Sequence, residues 1–404
     1  MASQGRGVVV VGGGLAGATV AQTLREDGFD GSITVIGEET QRPYERPALS
    51  KDYLQDKTSI ADLYVHPADW YADHQVQTRL GQPAVAVDRS ASEVRLAAGE
   101  TVPYDRLVLA TGAAPRTLQL PGADLRGVHV LRRIEDADVL HAALVPDTRW
   151  VIIGAGWIGL EVAAAARLAG CSVTVLETGE IPLRRALGRE LGQYFAQLHR
   201  HHGVTLCTEV SPRAILGAQG QAVGVETDQG TMAADVVLVA VGVTPNTRLA
   251  STAGIEVDNG IVVDEHLRST DPTILAVGDV ANAWHPVLGR RIRVEHWDNA
   301  IRQGRLAAGT LLGRPGRYDW QPYFYTDQYD LGMEYVGHSE PDDHVVVRGD
   351  LASGAFLVFW TRREKVTAAM NVNTWDVNDQ LRSLLGRRIP AEQLGDPAIG
   401  LDSL

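Results

Sequence analysis

One pattern occurs twice in the chain and constrains its fold more than any other. The run Val8-Val9-Val10-Val11 leads into Gly12-Gly13-Gly14-Leu15-Ala16-Gly17, followed by an apolar-periodic stretch from Ala18 to about Arg25. A second apolar run, 150–153, leads into Gly154-Ala155-Gly156-Trp157-Ile158-Gly159 and a similar stretch through Arg167. Each copy then enters another β-branched run, 32–36 or 172–176, and reaches an acid, Glu38 or Glu177. A strand, a Gly-x-Gly-x-x-Gly turn, a helix, a strand and an acid about 20 residues on make a dinucleotide-binding βαβ unit. The first glycine permits the tight turn, the second admits the pyrophosphate, and the third lets helix and strand pack closely. The pyrophosphate sits at the positive end of the helix dipole, and the acid accepts from ribose hydroxyls. Two complete units predict two bound dinucleotides.

Composition bounds the rest. A chain of 404 residues is too long for one core and predicts roughly two or three domains. Hydrophobic residues at 45% and charged residues at 22% describe an ordinary globular protein. No apolar run approaches the roughly 18 residues of a membrane span, and the valine run is too short for a secretory segment, so a cytoplasmic protein is expected. A net charge of −13 argues against nucleic acid and anionic membranes as partners. The two cysteines, Cys171 and Cys207, form neither a C-x-x-C pair nor a zinc spacing, and read as small hydrophobes in a reducing compartment.

Further along, a strand over 104–110 ends in Ala110-Thr111-Gly112-Ala113-Ala114-Pro115, and one over 235–241 ends in Gly242-Val243-Thr244-Pro245-Asn246. A short run, 274–277, leads to Gly278-Asp279. After about Tyr323 the pattern changes to period-2 strands, at 344–348, 355–361 and 365–373, with a turn at Arg362-Arg363-Glu364 and a helix over about 377–385.

Taken together, these motifs resemble the FAD- and NADH-dependent ferredoxin reductases of cytochrome P450 and Rieske oxygenase systems. These are members of the pyridine nucleotide-disulfide oxidoreductase fold that lack the disulfide. The resemblance runs along nearly the whole chain, through Arg46-Pro47-Ala48-Leu49-Ser50-Lys51, Glu295-His296-Trp297 and residues 322–329 as well as the segments above. It implies an α/β protein with two Rossmann-like domains, for FAD and NAD, and a C-terminal α+β domain. The FAD domain would comprise 1–117 and 246–322, the NADH domain 118–245, and the C-terminal domain 323–404. The N-terminal third has no cysteine, so neither a redox disulfide nor a peroxide-reducing thiol is expected beside the flavin.

The resemblance also assigns residues. For FAD it implies Gly12, Gly14, Leu15, Ala16 and Gly17 at the pyrophosphate, Glu38 at the ribose, and Arg46 and Lys51 along the isoalloxazine and pyrophosphate. Ala110, Thr111 and Gly112 form the crossing, Gly278 and Asp279 meet the ribityl chain, and Tyr325 lies in the C-terminal segment near the flavin. His296 and Trp297, with Glu295, open a helix whose N-terminus would face the flavin pyrimidine edge and favour hydride acceptance. For NADH it implies Gly154, Gly156, Trp157, Ile158 and Gly159 at the pyrophosphate, with Val241 and Gly242 at the crossing. Glu161 and Glu295 are candidates for holding the nicotinamide carboxamide. Glu177 would repel the 2′-phosphate of NADPH by about 4 kcal/mol at 4 Å and an effective dielectric near 20. Arg184 and Arg185 follow closely and soften that preference.

Electron counting completes the expectation. NADH gives two electrons as hydride, a [2Fe–2S] or [3Fe–4S] ferredoxin accepts one at a time, and FAD can do both. No side chain is needed for acid–base work. An arginine-rich stretch, including Arg290, Arg302, Arg305 and Arg314, is a candidate docking surface for an acidic ferredoxin. A rubredoxin reductase, a flavin-only NADH oxidase, and a redox-sensing protein resembling apoptosis-inducing factor remain as alternatives.

Overall fold

The computed structural model describes residues 7–314 and 316–404. The chain divides into two compact units, each assembled from separated stretches.

The first unit takes the chain up to Arg46, then Ile60–Ala114 and Val243–Trp320. Its centre is a parallel sheet in the order Val76–Arg79, Ile33–Ile36, Gly7–Val11, Thr101–Leu109, Ile274–Ala276. Val10 lies opposite Val35 on one side and Val108 on the other. Every residue of Gly7–Val11 is buried, because a central parallel strand is covered on both faces. Thr101–Leu109 is longer than its neighbours, and its first residues leave the parallel sheet to pair antiparallel with Glu93–Leu96, which pairs in turn with Ala84–Asp88. The helices Leu15–Glu26 and Trp297–Leu311 lie against each other. A Cβ at Gly304 would stand 2.8 Å from the Thr19 Cβ and 3.0 Å from the Ala16 carbonyl, so glycine sets how closely these helices approach.

The second unit takes Pro47–Ser59, Pro115–Gly242 and Gln321–Leu404. It repeats the parallel arrangement in the order Thr205–Thr208, Ser172–Glu177, Arg149–Ile153, Val236–Val239, Val128–His129. A three-stranded antiparallel sheet, Pro212–Ala218, Gln221–Thr227 and Gly230–Ala233, follows in sequence. The 18-residue helix Arg184–His201 has a kink at Gly188, whose φ of 83° lies in the left-handed region.

From Tyr323 the chain forms a five-stranded antiparallel sheet in the order Tyr323–Gln328, Leu331–Gly337, Lys365–Val372, Ala355–Arg362, His344–Asp350. The turn at Arg363 and Glu364 has both residues at positive φ. Ala355–Arg362 buries all but its end residues. Leu357 and Phe359 pack with Leu381 and Leu384 of the helix Asn378–Leu384. On the opposite face Trp360 meets Tyr335, which stacks on Phe324, which meets Trp157 at 5.1 Å. This aromatic series ties the second glycine turn to the C-terminal sheet. No helix among the described residues is long and apolar enough to cross a membrane.

Phe359 is fully buried where sheet and helix meet. Phe359→Ala is expected to cost about 3–5 kcal/mol, read as a lower urea midpoint, and a midpoint unchanged from wild type would contradict this packing.

Candidate functional site

The two glycine turns repeat each other atom for atom. A Cβ at Gly12 (φ +134°) would stand 2.0 Å from the Ala110 carbonyl oxygen, and one at Gly154 (φ +107°) would stand 2.4 Å from that of Ala240. At the third glycine, a Cβ would lie 2.2 Å from the Gly12 oxygen at Gly17 and 2.1 Å from the Gly154 oxygen at Gly159. At the middle glycines, Gly14 and Gly156, a Cβ meets nothing within 4 Å. The first and third glycines are therefore demanded by the protein itself, while the second opens a space.

That space faces a helix start. Gly14 caps Leu15–Glu26 and Gly156 caps Trp157–Leu168, in both cases without a side-chain cap or an acid in the first turn. Leaving these amide donors without a carboxylate, at the positive dipole end, makes both turns fit for an anionic diphosphate.

Around the first turn, Thr111 donates its hydroxyl to the Asn246 carbonyl at 2.8 Å, and the Asn246 amide donates back to the Thr111 carbonyl at 2.8 Å. The Gly112 carbonyl accepts from the Asn246 N–H at 2.9 Å. Gly278, at φ +75°, donates its N–H to the buried Gln303 side chain at 2.7 Å. Asp279 follows in the short turn Gly278–Val280, and its carbonyl accepts from Arg293 at 3.1 Å. Arg46 is held by Glu39 at 2.6 Å, and Tyr44 bridges the pair by accepting from Arg46 and donating to Glu39, each at 2.6 Å. The composition of the loop gave no sign of this ring. Glu38 is exposed past the strand end.

His296 caps the helix Trp297–Leu311, its ring Nδ1 accepting from the Asp298 N–H at 3.3 Å. The indole N–H of Trp297 is buried without a protein acceptor, as a donor reserved for a ligand would be. Glu295 is engaged by Arg293.

Around the second turn, the Glu177 carboxylate accepts from the Ala155 N–H at 3.0 Å and the Gly179 N–H at 2.7 Å. Arg184, at the start of its helix, pairs with Glu180 at 3.7 Å, and Arg185 is exposed. The Gly242 carbonyl accepts from the Arg116 N–H at 2.9 Å, next to Val241.

The second unit also holds an ion pair that is largely buried at both ends. Lys51 Nζ lies 2.9 Å from Glu161 Oε1, with only 11% and 5% of the two side chains exposed. Ser50 donates to the other carboxylate oxygen, and the buried Thr326 hydroxyl donates to Oε1 at 2.6 Å. The ammonium also lies 5.3 Å from the centre of the Tyr325 ring. Burying two charges is costly unless their remaining hydrogen-bonding capacity is met, and three donors on one carboxylate meet it. Ser50 and Thr326 lie inside segments that the sequence singled out, but nothing in their spacing signalled that they converge on Glu161.

Among the arginines of the candidate docking stretch, Arg302 pairs with Asp298 at 2.8 Å and Arg314 with Asp27 at 3.2 Å. Arg291 donates to the Val263 carbonyl. Arg290 and Arg305 are exposed.

The glycine geometry separates folding from binding. Gly17→Ala is expected to destabilise the protein, because its Cβ meets backbone. Gly14→Ala and Gly156→Ala are expected to keep the wild-type melting temperature while dinucleotide affinity falls about tenfold or more, Gly14→Ala at the N-terminal site and Gly156→Ala at the internal one. Equilibrium titration of each variant tests this, and wild-type affinity in both would remove the cradle reading.

Comparison with known proteins adds to this geometry. The family described as pyridine nucleotide-disulphide oxidoreductase matches residues 6–304, and the one described as reductase C-terminal matches residues 323–404. The chain is 42% identical over 396 residues to the ferredoxin–NAD(+) reductase component of the anthranilate 1,2-dioxygenase system of Burkholderia cepacia, covering 97% of this chain and 98% of that one. It is 40% identical over 394 residues to rhodocoxin reductase of Rhodococcus erythropolis, covering 96% and 92%. Its fold matches the crystal structure of a covalent putidaredoxin reductase–putidaredoxin complex with a TM-score of 0.95 at 38% identity, covering 98% and 97%. The chain belongs to the pyridine nucleotide-disulphide oxidoreductase family and carries that family's reductase C-terminal domain.

Proposed function

We propose that this protein is a ferredoxin reductase that passes electrons from NADH through FAD to an iron–sulfur ferredoxin serving a P450 or Rieske-type oxygenase. The duplicated cradle carries this reading, since two open middle glycines at two uncapped helix starts provide for two dinucleotides in one chain. The relatives at this identity and coverage act as ferredoxin–NAD(+) and rhodocoxin reductases. FAD, when bound, supplies the conversion of a two-electron hydride donor into single electrons for the acceptor.

In this reading the chain's own residues bind and orient. Gly12, Gly14, Leu15, Ala16 and Gly17 hold the FAD diphosphate, and Glu38 the ribose. Gly278 and Asp279 serve the ribityl chain, and the Trp297 indole N–H supplies a donor at the start of its helix. Lys51, fixed by Glu161, places a buried positive charge along the isoalloxazine. Gly154, Gly156 and Gly159 hold the NADH diphosphate, with Glu161 a candidate partner of the carboxamide. Glu177 accepts from the ribose, and its two backbone donors fix it where a 2′-phosphate would meet its charge. Glu180 draws Arg184 toward itself, which weakens the case for that arginine as a phosphate ligand. The two cysteines are unpaired, consistent with work in a reducing cytoplasm.

For the ferredoxin we infer that the exposed Arg305 does more than Arg302 and Arg314, which already hold Asp298 and Asp27. Arg305→Glu is expected to raise the ferredoxin KM roughly tenfold at low ionic strength and much less at high salt. A salt-independent KM equal to wild type would exclude this docking role.

Anaerobic NADH is expected to bleach the flavin far faster than NADPH, with Glu177→Ala narrowing the gap. Equal rates with both nucleotides in the wild type would refute the role of Glu177. Cytochrome c reduction is expected to rise when a [2Fe–2S] or [3Fe–4S] ferredoxin is added. Rapid oxygen consumption with no stimulation by any ferredoxin would show an NADH oxidase instead.

A further inference from the structure

The ion pair of Lys51 and Glu161 does not end at Thr326. The Thr326 hydroxyl lies 3.1 Å from Gln328 Nε2, Gln328 Oε1 lies 2.8 Å from His199 Nε2, and His199 Nδ1 lies 3.2 Å from the Tyr329 hydroxyl. Thr326, Gln328 and His199 are each no more than 1% exposed. Five side chains from three separate segments thus form one line within the second unit, ending on the carboxylate that holds Lys51.

The direction of every bond in the line is fixed. Ionised Glu161 can only accept, so the single Thr326 proton goes to it. Thr326 must then accept from Gln328, which turns the Gln328 amide nitrogen toward Thr326 and its oxygen toward His199. That oxygen accepts only, so His199 must carry its proton on Nε2, and its Nδ1 is left to accept from Tyr329. Each donor points toward Glu161, and aligned donors in a low-dielectric interior strengthen one another. The ring is neutral at physiological pH. Burial pushes its pKa down to about 4, the hydrogen bond to Gln328 opposes the shift, and nearby His202 adds to it.

The outer end of the line is also held deliberately. Tyr329 has a φ of 59°, a left-handed region that a bulky residue seldom enters, and its ring stacks on His202 at 3.6 Å with the planes 9° apart. A glycine or asparagine would satisfy that turn more easily but would bring no hydroxyl to Nδ1.

We propose that His199 is a positioning residue that acts through Gln328 and Thr326 to fix the orientation of the Glu161 carboxylate, and thereby that of Lys51. It touches neither dinucleotide. This rests on the reading above that Lys51 lies along the isoalloxazine. Without the line, the Glu161 carboxylate is free to turn away from Lys51, the charge of Lys51 is less offset, and electron uptake by an adjacent ring becomes easier.

The test uses the holoenzyme and follows the midpoint potential of its bound flavin. Glu161→Gln is expected to move the potential to more positive values, and His199→Phe, which keeps the ring but removes the N–H, to move it in the same direction by less. His199→Gln, which restores a donor, is expected to return it to the wild-type value. In the Glu161→Gln background His199→Phe should add nothing, because the line then ends on a group without charge. Gln328→Met breaks the line one step nearer Glu161 and gives the same comparison if His199→Phe fails to fold. A second readout needs no turnover: ¹⁵N-histidine spectra at neutral pH should show His199 as the neutral Nε2–H form. A cationic or Nδ1–H form would overturn the assignment. If Glu161→Gln shifts the potential while His199→Phe and Gln328→Met lower only the melting temperature, the proposal is wrong and the line is structural. If neither Glu161→Gln nor Lys51→Met shifts the potential, the placement of Lys51 at the flavin falls, and the role of His199 falls with it.

Discussion

Carbonyl oxygens pressed against glycine hold both dinucleotide folds in shape. The Ala110 carbonyl stands where a Gly12 side chain would be, and the Ala240 carbonyl does the same at Gly154. Each contact lets the end of a central strand turn at once into a helix, so that the helix start, with its unpaired amides, opens where the sheet ends. A methyl group at either position would push the crossing segment away. The orientation of helix, crossing and acid in each unit follows from this one steric requirement.

Charge is handled differently in the two units. In the first, Arg46 is stabilised by Glu39 and Tyr44, partly exposed and close to its own loop. In the second, Lys51 and Glu161 are withdrawn from water, and their pairing persists because neighbouring hydroxyls meet what the ion pair alone leaves unmet. An exposed pair needs only a partner, whereas a buried pair needs a shell. The shell here extends through Thr326 and Gln328 to His199, so the C-terminal sheet and the helix Arg184–His201 both contribute to it.

Much of the fold was legible because it rests on local patterns. The valine run, the glycine spacing and the period-2 strands each reflect a repeat along the chain that sterics enforce, and they located the central strands and the last C-terminal hairpin turn. The three-stranded sheet from Pro212 to Ala233 and the long helix at Arg184 were not legible in the same way. The strands carry glycines and small residues in place of a clean apolar alternation, and the helix is interrupted by Gly188 and ends in a polar run that reads as a solvated face. His199 lies within that run; its spacing from Leu187, Leu191 and Phe195 puts it on the buried face of the helix, but residue type alone does not separate it from the exposed Arg200 and His201 beside it.

By itself the sequence determined the duplicated βαβ frame, the cradle glycines, the acid at Glu177 and the scarcity of thiols. All of these are set by residue type and spacing over short distances. The tertiary structure alone decided that Lys51 meets Glu161, that Ser50 and Thr326 complete its shell, and that His199 lies at the other end of a line of donors. Lys51, Ser50 and Thr326 each lie more than a hundred positions from Glu161 in the chain. Each partner is fixed by the need to satisfy a buried polar group in three dimensions, and that need leaves no mark in the spacing of the residues that meet it.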